Sequence, residues 1–147
     1  MSNDQSPPKK VSACIEQLIP FHDVDMGEIV WHGHYVRYIE IARCELLDKV
    51  GYGYQEMADS SCFWPIVNMR IKYLRPAVFG QKIKVKATLE EWEYRLRITY
   101  EIRDAEGTLL TEGLTDQVPL DKETREMMLG MPSAALEKIE QSIKNLE

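Results

Sequence analysis

All three histidines of this chain and two of its aspartates fall in one stretch, FHDVDMGEIVWHGHY, residues 21–35. His22, Asp23, Asp25, His32 and His34 make the densest group of proton-handling side chains in the sequence. Such a set suits metal ligation, proton transfer or attack by a carboxylate. A zinc site takes three or four Cys, His, Asp or Glu ligands, and His32-Gly33-His34 offers one familiar short spacing. Against a metal, His34 and Tyr35 already begin a helical pattern, in which residues two apart diverge by about 200°. H-E-x-x-H spacing is absent and the cysteines lie elsewhere, so the expectation is neither metal nor cofactor. The plainest alternative makes these residues loop polars, with Asp23 or Asp25 shaping turns. Position argues for more. The stretch feeds the N-terminus of a buried helix, where unpaired N–H groups and the positive dipole end can polarise a carbonyl oxygen. Asp25 precedes His32 by seven residues, within reach of a substrate held at that end. A carboxylate facing an electrophile pinned to a helix start can carry acyl hydrolysis, by attack or by activating water. No G-x-S-x-G, P-loop or G-x-G-x-x-G competes with it.

The helix that must position this group runs over about 33–50. Tyr35, Ile39, Ala42, Leu46 and Val50 recur at three- and four-residue steps, and Gly51 and Gly53 end it. Val36, Tyr38, Ile41 and Leu47 lie off that row, so the helix is expected to be covered on most sides. A short strand over 12–20 precedes the loop. Three runs with period 2 follow the helix. Over 64–75, Val67, Met69, Ile71 and Tyr73 alternate with Asn68, Arg70 and Lys72. Over 82–89, Ile83, Val85, Ala87 and Leu89 alternate with Lys82, Lys84, Lys86 and Thr88. Over 94–103, Leu96, Ile98, Tyr100 and Ile102 do the same. One wet and one buried face per strand marks an antiparallel sheet. A turn at 104–107 leads to a last strand over about 108–118. Pro132 opens a terminal amphipathic helix with Leu136, Ile139, Ile143 and Leu146 at helical spacing. The sheet must bury its apolar face on the long helix, which gives an α+β fold, an antiparallel sheet wrapped around one central helix.

At 147 residues the chain is read as one domain over 12–147, behind a polar, disordered tail at 1–11. A net charge of −6 excludes nucleic acid as a general partner and requires an anionic ligand to find local cations. Cys14, Cys44 and Cys62, odd in number and without C-x-x-C spacing, are expected as free thiols in a reducing compartment. No apolar run approaches the ~20 residues that span a bilayer, and a cytoplasmic protein without membrane insertion is expected.

The stretch FHDVDMGEIVWHGHYVRYIEIAR resembles the signature of the 4-hydroxybenzoyl-CoA thioesterase family of hotdog-fold acyl-CoA thioesterases. The matching positions are Asp23-Val-Asp25, Ile29-Val30, Trp31-His32, Tyr35 and Glu40-Ile-Ala42-Arg43. A second block, Pro65-Ile-Val67 followed by Tyr73-Leu-Arg75-Pro76 and Gly80, is similar to the family's entry into the central strands. The resemblance covers about residues 12–120. It implies a hotdog fold and hydrolysis of an acyl-CoA or acyl-carrier-protein thioester, without metal or cofactor. It makes Asp25 the catalytic carboxylate and His32 the residue whose backbone N–H polarises the thioester carbonyl. Trp31, Gly33 and Tyr35 become substrate contacts, and Arg95 a contact to the CoA phosphates. Arg97 and Arg103 read as a solvated strand face, Glu40 and Arg43 as a structural i,i+3 pair, and His22 and His34 as loop polars. Family members assemble as dimers with sites at the subunit interface, often paired into tetramers, so a homodimer or homotetramer is expected. One departure is Glu28, where the family generally has glycine; a turn with φ > 0 there would strain a glutamate. Two rival readings remain, a hotdog β-hydroxyacyl dehydratase or hydratase and a non-catalytic acyl-CoA-binding protein.

Overall fold

The computed structural model describes residues 10–146. Among the described residues, seven strands and three α-helices follow in the order β1 (Ser12–Leu18), α1 (His34–Lys49), α2 (Tyr54–Asp59), β2 (Cys62–Phe63), β3 (Ile66–Tyr73), β4 (Lys82–Glu91), β5 (Leu96–Arg103), β6 (Leu109–Gln117), β7 (Leu120–Asp121) and α3 (Ser133–Leu146), with a single 3-10 turn at Phe21–Asp23 between β1 and α1. Five of the strands form one antiparallel sheet in the order β1-β4-β5-β6-β3. β2 and β7 pair separately as a two-residue ribbon. Of the tail expected over 1–11, residues 1–9 lie outside the described residues; its last two residues are tied to β4, since Lys10 pairs with Glu90 and the Val11 carbonyl accepts from Leu89 N–H at 2.9 Å.

The alternation read from β4 and β5 is realised. Ile83, Val85, Ala87 and Leu89 are buried, as are Leu96, Ile98, Tyr100 and Ile102, while the lysines of β4 face solvent. These residues pack under α1, which contributes Tyr35, Tyr38, Ile39, Ala42, Leu46 and Leu47 to the core. Gly51, with φ +73°, ends α1 in a left-handed turn that a side chain would strain. α3 closes over this end with Ala135 and Ile139; Pro132 lies just before it.

Within the single chain, α1 does not sit evenly across the sheet. The helix rests over the β1 and β4 side of the sheet. It also reaches β6 at Gly113, where a Cβ would lie 3.1 Å from Ile39 Cδ1. β3 is therefore an edge strand whose inner face is only partly covered: Met69 and Ile71 are half-buried, and Val67 and Tyr73 are exposed. The far side of α1 is bare as well, with Val36 and Ile41 exposed. The side-chain period is right in each case; it does not say which part of an apolar face the chain itself can cover.

Candidate active site

Residues 23–31 fold as a small hairpin. Val24 bridges Val30, Asp25 N–H donates to the Ile29 carbonyl at 2.9 Å, and Glu28 N–H donates to the Asp25 carbonyl at 3.0 Å. This is a tight turn followed by a residue in the left-handed region, a position that normally takes glycine. Glu28 occupies it at φ +65°, so the strain expected from the sequence is present. Asp25 opens the turn. Its Oδ1 accepts from Gly27 N–H at 2.7 Å, which fixes the carboxylate while the side chain stays exposed.

Asp23 anchors the hairpin to α1. Its carbonyl accepts from Trp31 N–H at 3.0 Å, and its side chain is wholly buried. Oδ2 accepts from the Tyr38 hydroxyl and from the Arg37 guanidinium. Oδ1 has no hydrogen-bond partner, with His22 Nε2 at 3.8 Å and His34 Nε2 at 3.9 Å. Burial pushes the Asp23 carboxyl up, but hydrogen bonds from Arg37 and Tyr38 and the nearby positive charge outweigh it and hold it below the usual carboxylate range. Burial, reinforced by Asp23, raises the Tyr38 hydroxyl. The local turn role expected of Asp23 is thus too small, since its partners lie on the helix fourteen and fifteen residues on. His34 is likewise no loop polar; it is the first residue of α1.

The start of α1 is held from three sides. His34 N–H donates to the Trp31 carbonyl at 2.9 Å, the Tyr73 hydroxyl donates to the His32 carbonyl at 2.8 Å, and the Tyr35 hydroxyl accepts from Ala77 N–H at 3.2 Å. The Tyr35 and Tyr73 rings meet edge to face at 5.1 Å. The backbone N–H groups of His32 and Gly33 make no backbone hydrogen bond among the described residues. The Trp31 ring folds back over Gly33, where a Cβ would stand 2.2 Å from Trp31 Cζ3; only a glycine leaves room for that ring.

A cavity of about 290 Å³ opens between the hairpin, the start of α1 and the end of β3. Asp25, His32 and Tyr35 line it together with Tyr73, Arg75 and Pro76. Of the residues expected in the site, these first three are brought together, and Trp31 and Gly33 lie immediately beside them. Arg95 does not line this cavity. It pairs with Glu91 at 3.1 Å and Asp116 at 3.7 Å at the start of β5. Tyr73 and Arg75 were not among the expected site residues, because their nearness to the loop depends on the course of β3. Among the described residues, no three His, Cys, Asp or Glu side chains are placed to hold a metal ion. An acceptor carboxylate thus shares one cavity with a helix start whose donors can receive a carbonyl oxygen.

Comparison with known proteins places the chain in a family. The profile of a family described as the thioesterase-like superfamily matches residues 19–142. An esterase-named protein of Synechocystis, sll0410, is 33% identical over 70 residues, 48% of this chain and 42% of that protein. The chain therefore matches less than half the length of that relative. The long-chain acyl-CoA thioesterase FadM of Escherichia coli is 25% identical over 125 residues, 84% of this chain and 93% of that protein. The structure of a DHNA-CoA thioesterase from Staphylococcus aureus superposes with a TM-score of 0.79 at 21% identity, covering 92% of this chain and 90% of that one. At that identity the likeness is one of fold, and the fold is the hotdog expected from the sequence.

Proposed function

We propose, because this chain belongs to the thioesterase-like superfamily, that it hydrolyses the thioester of an acyl-CoA or an acylated carrier protein to free acid and thiol. The observation that carries this reading is the single cavity lined by both Asp25 and His32. The thioester carbonyl oxygen sits against the N–H groups of His32 and Gly33, where the negative charge of the tetrahedral stage is stabilised. Asp25 either attacks the carbonyl carbon, giving a mixed anhydride that water then opens, or takes a proton from an attacking water. In both routes the thiolate leaves, and the sum is thioester plus water to acid plus thiol. Neither route needs a metal or cofactor. Tyr73 fixes the His32 peptide, and Arg75 supplies a cation beside the cavity. A homodimer or homotetramer completes the site, because β3 presents an unpaired edge and a partly bare inner face. A cytoplasmic setting fits three free thiols and the lack, among the described residues, of any helix long and apolar enough to cross a membrane.

Thiol release from a panel of acyl-CoAs and acylated carrier proteins tests the proposal. Turnover of at least one class well above the rate without protein is expected. No turnover by folded protein across the panel would overturn it.

A further inference from the structure

A groove of about 400 Å³ adjoins the Asp25 cavity, with walls formed by Phe21, Val24, Ile29, Val78 and Phe79. Backbone pairing holds these walls in place. Phe21 begins the 3-10 turn after β1, Ile29 bridges Val78, and Val30 N–H donates to the Ala77 carbonyl at 2.9 Å. The Phe21 and Phe79 rings meet edge to face at 5.8 Å, so the two segments close on each other. This apolar surface is open to solvent: Phe21 is 75% exposed and Phe79 58%, and Ile29 and Val78 are exposed as well. A contiguous exposed apolar surface of this kind marks a place where something apolar binds.

The groove reaches the candidate site directly. Ile29 lines both, and Gly27, on the groove, donates its N–H to Asp25 Oδ1, in the cavity, at 2.7 Å. The Asp25 carboxylate therefore stands at the edge of the groove, with no buried passage to cross. Charge decides which end of a thioester lies there. The thiol end carries phosphates and the acyl end can be wholly apolar. Arg75 lines the Asp25 cavity and not the groove. Among the described residues the groove has no cation, and the one charged group at its rim is the Glu28 carboxylate, which repels phosphate. We infer that the groove takes the acyl group, and that the protein prefers uncharged, apolar acyl chains long enough to lie past Ile29 between Val78 and Phe79. The inference rests on the thioesterase reading and adds the chemistry of the acyl end to it.

The test measures kcat/KM for butanoyl-, hexanoyl- and octanoyl-CoA in the wild type, Phe79→Ser and Val78→Trp. Each added methylene is expected to raise kcat/KM by about two- to fourfold, so octanoyl should exceed butanoyl by about tenfold or more. Phe79→Ser removes an apolar wall, and Val78→Trp fills the groove. Both should lower the octanoyl-to-butanoyl ratio by about threefold or more, whatever the absolute rate. Both positions are exposed, so the fold should survive; if one variant does not fold, the wild-type ratio and the other variant decide. A flat wild-type series would overturn the inference and leave the thioesterase reading standing. So would a ratio that neither variant moves. Light scattering that shows Phe79→Ser falling apart into smaller species with its ratio unchanged would give the groove to a second copy of the chain, and would overturn it too. Failure to hydrolyse any acyl thioester would remove the thioesterase reading and this inference with it.

Discussion

Asp23→Asn tests whether the first aspartate of the pair anchors the hairpin or takes part in the reaction. Asparagine keeps the size and one acceptor oxygen but loses the charge. The hydrogen bond from buried Tyr38 becomes neutral, a loss of about 1 kcal/mol. Arg37 is 47% exposed and regains water when unpaired, so its pair contributes about another 1 kcal/mol. The expected destabilisation is about 2 kcal/mol at neutral pH. At ~2–4 °C per kcal/mol for a chain of this size, Tm should drop by about 4–8 °C. Asp23→Ala also strands the Tyr38 hydroxyl and opens a cavity, so about 4 kcal/mol is expected. The sign with pH follows from a carboxyl held below its ordinary value: the stabilisation is present above about pH 4 and lost as pH falls through the folded pKa. Melting curves at about pH 7 and about pH 3 should therefore show a gap between wild type and Asp23→Asn that narrows in acid. Turnover should fall by less than about tenfold, because the Asp23 carbonyl still holds Trp31. A folded Asn variant with wild-type Tm at neutral pH would refute the anchoring role. If its turnover also collapsed, Asp23 would belong to the chemistry.

Glu28→Gly relieves a left-handed backbone and should stabilise the chain by about 1 kcal/mol, seen as a higher midpoint in urea, with turnover retained. A collapse of its activity would make Glu28 a working acid or base. Tyr73→Phe removes the hydrogen bond that holds the His32 peptide, and kcat should fall by about three- to tenfold with little change in Tm; unchanged kcat would show that the bond does not position the site. Asp116 accepts two hydrogen bonds from Arg97, at 2.7 and 2.9 Å, and one from Asn68 at 3.0 Å; led by Arg97, these lower its carboxyl to about 2. Its contribution, about 2 kcal/mol, is present above about pH 4 and lost as pH falls toward 2. Asp116→Asn should therefore be less stable than wild type at neutral pH and nearly equal to it in strong acid.

What could be read in the sequence was whatever repeats locally. β4 announces itself because Lys82, Lys84 and Lys86 must face water while Ile83, Val85 and Ala87 face α1. α1 shows through its three- and four-residue steps, and the strained turn shows because Glu28 stands where glycine was expected. Elements too short to hold a period did not show: α2 has six residues, and β2 and β7 have two each. The bare inner face of β3 was hidden for another reason. Alternation tells which face of a strand is apolar, whereas cover depends on where α1 leans, toward β1 and β4. Within the site, the local part was legible, with Asp25 a short step before a helix start. Tyr73 donating to a carbonyl 41 residues back, and Asp23 reaching Arg37 and Tyr38, are tertiary pairings that no spacing rule marks.

The central claim is that the Asp25 carboxylate works on a thioester held at the start of α1. Asparagine at position 25 keeps the shape and can still accept from Gly27 N–H, but it can neither attack nor take a proton from water at neutral pH. The donors of His32 and Gly33 are untouched, so substrate should still bind. The measurement is kcat and substrate affinity of folded Asp25→Asn on the best acyl thioester of the panel. The account predicts a fall in kcat of ~10²–10⁴ or more, about 3–5 kcal/mol of barrier, with affinity within about tenfold. Near-normal turnover by the folded variant would contradict it.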